Sequence, residues 1–89
     1  MANKRTLKQI INLISEELLA ECVAASLYGT KNAKENADAL LFSVIKLRNN
    51  YLQRVSHPEP GMSARLYFKD LREKFTVEVN EIVDQINNL

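Results

Sequence analysis

Three charged side chains stand where the helical pattern of this chain would put apolar ones. Turned at 100° per residue, the segment around residues 6–28 carries Glu21 inside its apolar stripe, between Ile14, Leu18, Ala25 and Tyr28. Glu17 borders the same face one turn earlier. The following helical segment carries Arg48 among Leu41, Val44, Ile45, Tyr51 and Leu52 in the same way. An inward carboxylate and an inward guanidinium call for partners. Three readings follow: a buried or half-buried ion pair that fixes helix register or dimer geometry, a carboxylate raised in pKa by desolvation and poised as an acid or base, or positions simply more exposed than the wheel suggests. If the turn near Thr30 sets the pairing, residues facing each other across the first two helices have numbers that sum to about 61. Arg48 then falls near Leu13 and within reach of Glu17, with Glu21 farther away. The ion pair is the expected reading.

Other site chemistries find no footing. A di-iron bundle needs Glu-x-x-His pairs on facing helices, and the single histidine, His57, lies in a proline-stiffened loop beside Glu59. Those two alone read as a surface cap and a solvated acid, not a metal site. There is no glycine-rich phosphate loop, no nucleophile elbow and no Cys/His pair, and Ser43 and Ser56 have no base near them in sequence. No catalytic residue, metal or cofactor is expected. Cys22 is the one cysteine, which excludes an intramolecular disulfide and a four-cysteine zinc site and fits a reducing compartment.

The elements that would position these residues are three amphipathic helices, over about 6–28, 32–56 and 63–88. The first opens on a capping box at residues 6–9 and carries Leu7, Ile11, Ile14, Leu18, Cys22 and Ala25, with Ile10 and Tyr28 widening the stripe. Gly29 is expected to end it in a left-handed conformation. The second, capped at Asn32, carries Ala33, Ala37, Leu40, Leu41, Val44, Tyr51 and Val55. It must stop near His57, where His-Pro-Glu-Pro-Gly strings breakers together and residues 59–62 fit a type II turn. Ser63 caps the third, which carries Phe68, Leu71, Phe75, Val79, Ile82, Ile86 and Leu89. Links this short give an all-α, up-down-up antiparallel bundle forming one domain over residues 1–89.

Leu13, Leu19, Val23 and Leu27 lie off the first helix's stripe, so that helix is apolar nearly all round over its second half. Two neighbouring helices cannot cover it, and a homodimer that completes the core is the expected consequence.

Net charge is +1, from 12 basic and 11 acidic side chains, which excludes a broadly polycationic nucleic-acid binder. The charges are nevertheless sorted. Up-down-up topology gathers Lys4, Arg5, Lys8, Arg48, Arg54, Arg65, Lys69 and Arg72 at one end against Glu59, Asp70 and Glu73. Glu35, Asp38, Glu78, Glu81 and Asp84 collect at the other end against Lys31 and Lys34. Lys4, Arg5 and Lys8 at a helix start, and Glu81 and Asp84 at a helix finish, oppose the helix dipole, so local helix stability did not select them. The basic end could serve a phosphate backbone or an anionic partner; complementary ends could instead set an antiparallel dimer or a larger partner complex; or the charges form an ordinary solvated surface. No helix-turn-helix spacing supports a recognition helix, so nucleic acid stands as the second reading.

Size and helix count resemble the small dimeric all-helical chorismate mutases. That resemblance implies inward cations for a dianionic substrate, and Glu17 and Glu21 oppose it. The blocks Ala-Glu-Cys-Val-Ala-Ala-Ser-Leu-Tyr at 20–28, Ser-His-Pro-Glu-Pro-Gly-Met at 56–62 and Lys-Asp-Leu-Arg-Glu-Lys-Phe at 69–75 resemble a family of small bacterial proteins with no assigned function. This second resemblance implies a bacterial cytoplasmic setting and carries no activity. No apolar run approaches the roughly 20 residues needed to cross a bilayer. The sequence thus predicts a cytoplasmic, non-enzymatic helical protein that works by association as a homodimer, with a protein partner in view.

Overall fold

A computed structural model describes residues 4–89. It consists of α1 (Lys4–Tyr28), α2 (Lys31–Ser56) and α3 (Ala64–Asn87), with no strand among the described residues. The all-α, three-helix architecture is the one the periodicity predicts.

The start of α1 departs from expectation. The helix is already formed at Lys4, so Thr6 lies within its first turn and the box at residues 6–9 does not open it. The first turn breaks two further expectations. Thr30, not Asn32, caps α2: its Oγ1 accepts from the Ala33 N–H at 3.2 Å, which starts the helix at Lys31. Gly29 has a negative φ, and its N–H closes onto the Ala25 carbonyl at 2.9 Å. What demands glycine there is space. A Cβ at that position would stand 2.5 Å from the Ala25 oxygen and 3.0 Å from the Ala33 Cβ, so a side chain would wedge the hairpin open where it is tightest. Gly61 supplies the left-handed backbone instead, at φ 101°, in the turn expected after Pro60. Ser63 caps α3 through its Oγ, which accepts from the Leu66 N–H at 3.3 Å.

The core is a hairpin with a third helix laid along it. α1 and α2 pack along their length, α3 lies chiefly against α2, and it scarcely touches α1. Leu7, Ile11, Leu18 and Cys22 of α1 meet Leu40, Val44, Leu47, Tyr51 and Val55 of α2; Leu71, Phe75 and Ile82 close the core from α3. Small side chains near the turn, Cys22, Ala33 and Ala37, are buried along with Ser15, whose Oγ finds no hydrogen-bond partner. A lone buried hydroxyl costs stability; its small volume is what suits a close helix pair. Ile10 and Tyr28 do not widen the α1 stripe: both are exposed, Tyr28 almost fully.

Candidate functional site

Glu17 and Glu21 are exposed, and neither is the buried carboxylate that the helical wheel suggests. The reason is the position of α3. Both lie on the flank of α1 away from the α2 contact, and the helix that would have covered that flank sits against α2. Arg48 is half-buried as expected, but its Nε donates to Asn12 Oδ1 at 2.8 Å instead of meeting Glu17. The register expected from the turn brings it to this level of α1; a neutral amide one position from Leu13 takes the contact. Arg48 is thus held across the hairpin by an amide and not by an ion pair, and Glu17 and Glu21 face solvent.

A second polar group, not foreseen from the sequence, ties α3 to the hairpin. Tyr51, buried on α2, donates its Oη–H to Glu78 Oε2 on α3. Its ring meets Phe75 edge-on, with centroids 5.1 Å apart, and the Arg54 guanidinium lies over the ring, 5.0 Å from its centre. One turn nearer the link, the Tyr67 hydroxyl donates to the Arg54 carbonyl at 2.9 Å. Burial first, then the hydrogen bond and the negative charge of Glu78, push the Tyr51 phenol well above its ordinary value, with Asp70 adding to the shift and Arg54 opposing it. Tyr51 therefore stays a donor at neutral pH and is a poor acid. The sequence signal was available only in part: Tyr51 lies on the α2 stripe, but Glu78 reads as one more surface charge.

Beside this seam, α2 and α3 part to leave an open cleft of about 540 Å³ over Leu47 and Ile82, rimmed by Ser43, Lys46, Asn50, Glu78, Glu81 and Gln85. It holds no nucleophile paired with a base. Cys22 is fully buried; burial first and then the Glu21 charge raise its thiol pKa, so it is a protonated core side chain. No group of three His, Cys, Asp or Glu side chains among the described residues could hold a metal ion.

The basic side chains share one end by topology without converging on one point. Lys4, Arg5, Arg65, Lys69 and Arg72 are exposed, Lys8 is half-buried, and Arg54 is engaged with the Tyr51 ring.

The four off-stripe residues of α1 divide. Leu19 is half-buried against the core, whereas Leu13, Val23 and Leu27 are exposed, Leu13 and Leu27 by 60% and 62%. Leu13 and Leu27, fourteen apart with Ala20 midway, form the line of α1 that points straight out. Leu19 and Val23 belong to a broader surface. Asn12, Leu19 and Ser26 are spaced seven apart and so run in one line along α1. Its two ends are fastened to α2, Asn12 to Arg48 and Ser26 Oγ to Asp38 Oδ1 at 3.1 Å. Between Asp38 and Arg48 lie Leu41, Phe42 and Ile45. Ile45 is nine residues from Arg54, which puts the two on opposite sides of α2, and Arg54 is on the side that α3 covers. One side of the hairpin is therefore roofed by α3, and the other presents Leu19, Val23, Leu41, Ile45 and Phe42, the last 71% exposed. Phe42 is the residue of this surface that the sequence reading left out, and Ile45, read there as an inward neighbour of Arg48, is exposed; an aromatic off the α2 stripe was the signal.

Comparison with protein-family models, with curated proteins and with solved structures returned no match, so neither resemblance above gains a family to rest on.

Proposed function

We propose that this chain is a non-enzymatic interaction protein that works as a homodimer through the side of the α1–α2 hairpin opposite α3. The observation that supports this most is the set of apolar side chains on the side of the hairpin away from α3: Leu19, Val23, Leu41 and Ile45 between the Asn12–Arg48 and Ser26–Asp38 hydrogen bonds, with Phe42 toward the outer line of α2 and Glu16 as the charge among them. Single exposed apolar side chains are ordinary; a contiguous set on adjoining helices marks an interaction surface. Leu13 and Leu27 extend it along the outer line of α1. The Asn12–Arg48, Ser26–Asp38, Tyr51–Glu78 and Tyr67–Arg54 hydrogen bonds all tie one helix to another, which favours association over catalysis as the reading. No described helix is long and apolar enough to cross a membrane, and a lone buried thiol suits a reducing compartment such as the cytoplasm.

Sedimentation equilibrium over a wide concentration range tests this. The expected result is a dimer that persists at high salt, with Phe42→Glu and Val23→Glu giving folded monomers. A wild-type chain that stays monomeric throughout would remove the reading.

A further inference from the structure

We infer that the open half of the α1–α2 hairpin, across the Asn12–Arg48 hydrogen bond from the apolar surface, binds the phosphate backbone of a nucleic-acid duplex without reading its sequence. Its residues lie apart from Leu19, Val23, Leu41 and Ile45, so the site does not depend on the dimer.

This half of the hairpin is free of acid. Neither residues 1–15 nor residues 39–58 contain an aspartate or a glutamate, and the Asn12–Arg48 bond sets these two stretches side by side. Lys8 and Asn12, one turn apart on α1, and residues 46–57 of α2 line a shallow groove of about 790 Å³. Lys8, Lys46 and His57 stand in it among the amides of Asn12, Asn49, Asn50 and Gln53. Lys8 and Arg48 are half-buried, yet neither meets a carboxylate: the one ion pair among the described residues is Lys74–Asp70, and Arg48 is held by a neutral amide. Cations that give up hydration without an acid beside them are set for an anion from outside. The nearest acids face other ways. Glu59 lines a hollow with Arg54, Tyr67 and Lys74, and Glu16 stands one turn beyond Asn12, among the apolar side chains. Glu78 and Glu81 stand on the α3 rim of the cleft that Lys46 and Asn50 border on their other side.

The kind of anion follows from what surrounds the cations. The centre of a protein interface is apolar or aromatic and poor in lysine; the apolar residue in this groove is Leu52, and it is half-buried. An anionic lipid surface calls for apolar side chains beside the cations, to enter it. Lysines interleaved with amides instead suit phosphate and sugar oxygens, contacts that carry no sequence information. No aromatic side chain lines the groove to stack on unpaired bases, which favours a duplex over a single strand. From Lys46 to His57 is about 16 Å at 1.5 Å per residue, enough to cover about five phosphates of one strand.

Fluorescence anisotropy of a short labelled DNA duplex of mixed sequence tests this. With Lys8, Lys46 and Arg48 as contacts, at about −0.9 each, the logarithm of the binding constant should fall with the logarithm of salt at a slope of about −2.7, a loss of about 40-fold between about 50 and 200 mM. Lys8→Gln combined with Lys46→Gln should bring the slope to about −1 and weaken binding alike on any sequence. Gln53→Glu, at an exposed position outside the core, should weaken binding as well, whereas Arg65→Gln, Lys69→Gln and Arg72→Gln together, all exposed on or beside α3, should leave the slope unchanged. No binding at the lower salt, or a slope that the α3 variant lowers and the groove variants do not, would overturn the inference. Binding to vesicles containing phosphatidylglycerol with none to the duplex would overturn it in favour of a membrane surface. Tighter binding to the single strand than to the duplex would overturn it too. The sedimentation test of the dimer is independent of all these outcomes.

Discussion

The Tyr51 hydroxyl is the side chain whose protonation the fold controls most clearly. Its folded pKa is raised, so the stability it contributes is complete below the ordinary phenol value of about 10 and drains away as pH rises from there toward the folded value. Tyr51→Phe should cost about 1–2 kcal/mol at pH 7, the worth of a hydrogen bond to a carboxylate partly offset by rehydration of half-buried Glu78. Urea unfolding of both proteins from pH 8 to 11.5 should show the gap closing above pH 10; a gap that stays constant would mean the phenol ionises alike in folded and unfolded chains. A second measurement concerns the pair that the wheel misassigned. A double-mutant cycle between Asn12→Ala and Arg48→Ala should give a coupling of about 1 kcal/mol, and one between Glu17→Ala and Arg48→Ala a value near zero. The reverse pattern would restore the ion pair expected from sequence. That error is instructive. Periodicity gives the direction of Glu17 and Glu21 from the axis of α1, but whether that direction is wet depends on where α3 lies, and no property of residues 4–28 carries that information.

At the level of the helices, most of the fold was legible because most boundaries have a local cause: proline and glycine after α2, a serine cap before α3, a glycine at the first turn; the start of α1 and the cap of α2 were misplaced by a few residues. The unequal packing of the helices was not. The α3 stripe is as regular as the other two, yet α3 buries Leu71, Phe75 and Ile82 where α2 buries seven residues. A narrow stripe can be satisfied by a single neighbour, and α3 takes α2 as its neighbour. The element with the fewest buried apolar side chains should open first. Hydrogen exchange should therefore show α3 amides exchanging through a partial opening that leaves the α1–α2 hairpin protected. Phe75→Leu, a mild repacking worth about 1 kcal/mol, should lower protection in α3 ahead of the hairpin. Equal protection across all three helices in both proteins would show that the bundle opens as one unit.

For the molecule as a whole, shape and area point the same way. A compact chain of 89 residues has a radius of gyration of about 12 Å, and this one measures 14.6 Å, drawn out to 48 × 18 × 18 Å. Its accessible surface of 6293 Å² exceeds the roughly 5,300 Å² expected at 10.2 kDa by about the area a dimer interface removes from one partner. A domain this small has little stability in reserve, so a shared core would make folding and association one equilibrium. The melting temperature should then rise with protein concentration. Each tenfold increase favours the folded dimer by about 1.4 kcal/mol, and over the melting entropy of two such chains this is roughly 3–4 °C. Phe42→Glu should melt lower and lose the dependence, since it places a charge on the most exposed aromatic of the surface without touching the core of either copy. If the wild-type midpoint holds still over a hundredfold range of concentration, folding is complete in the monomer. The apolar side of the hairpin would then have to be explained by a partner other than this chain.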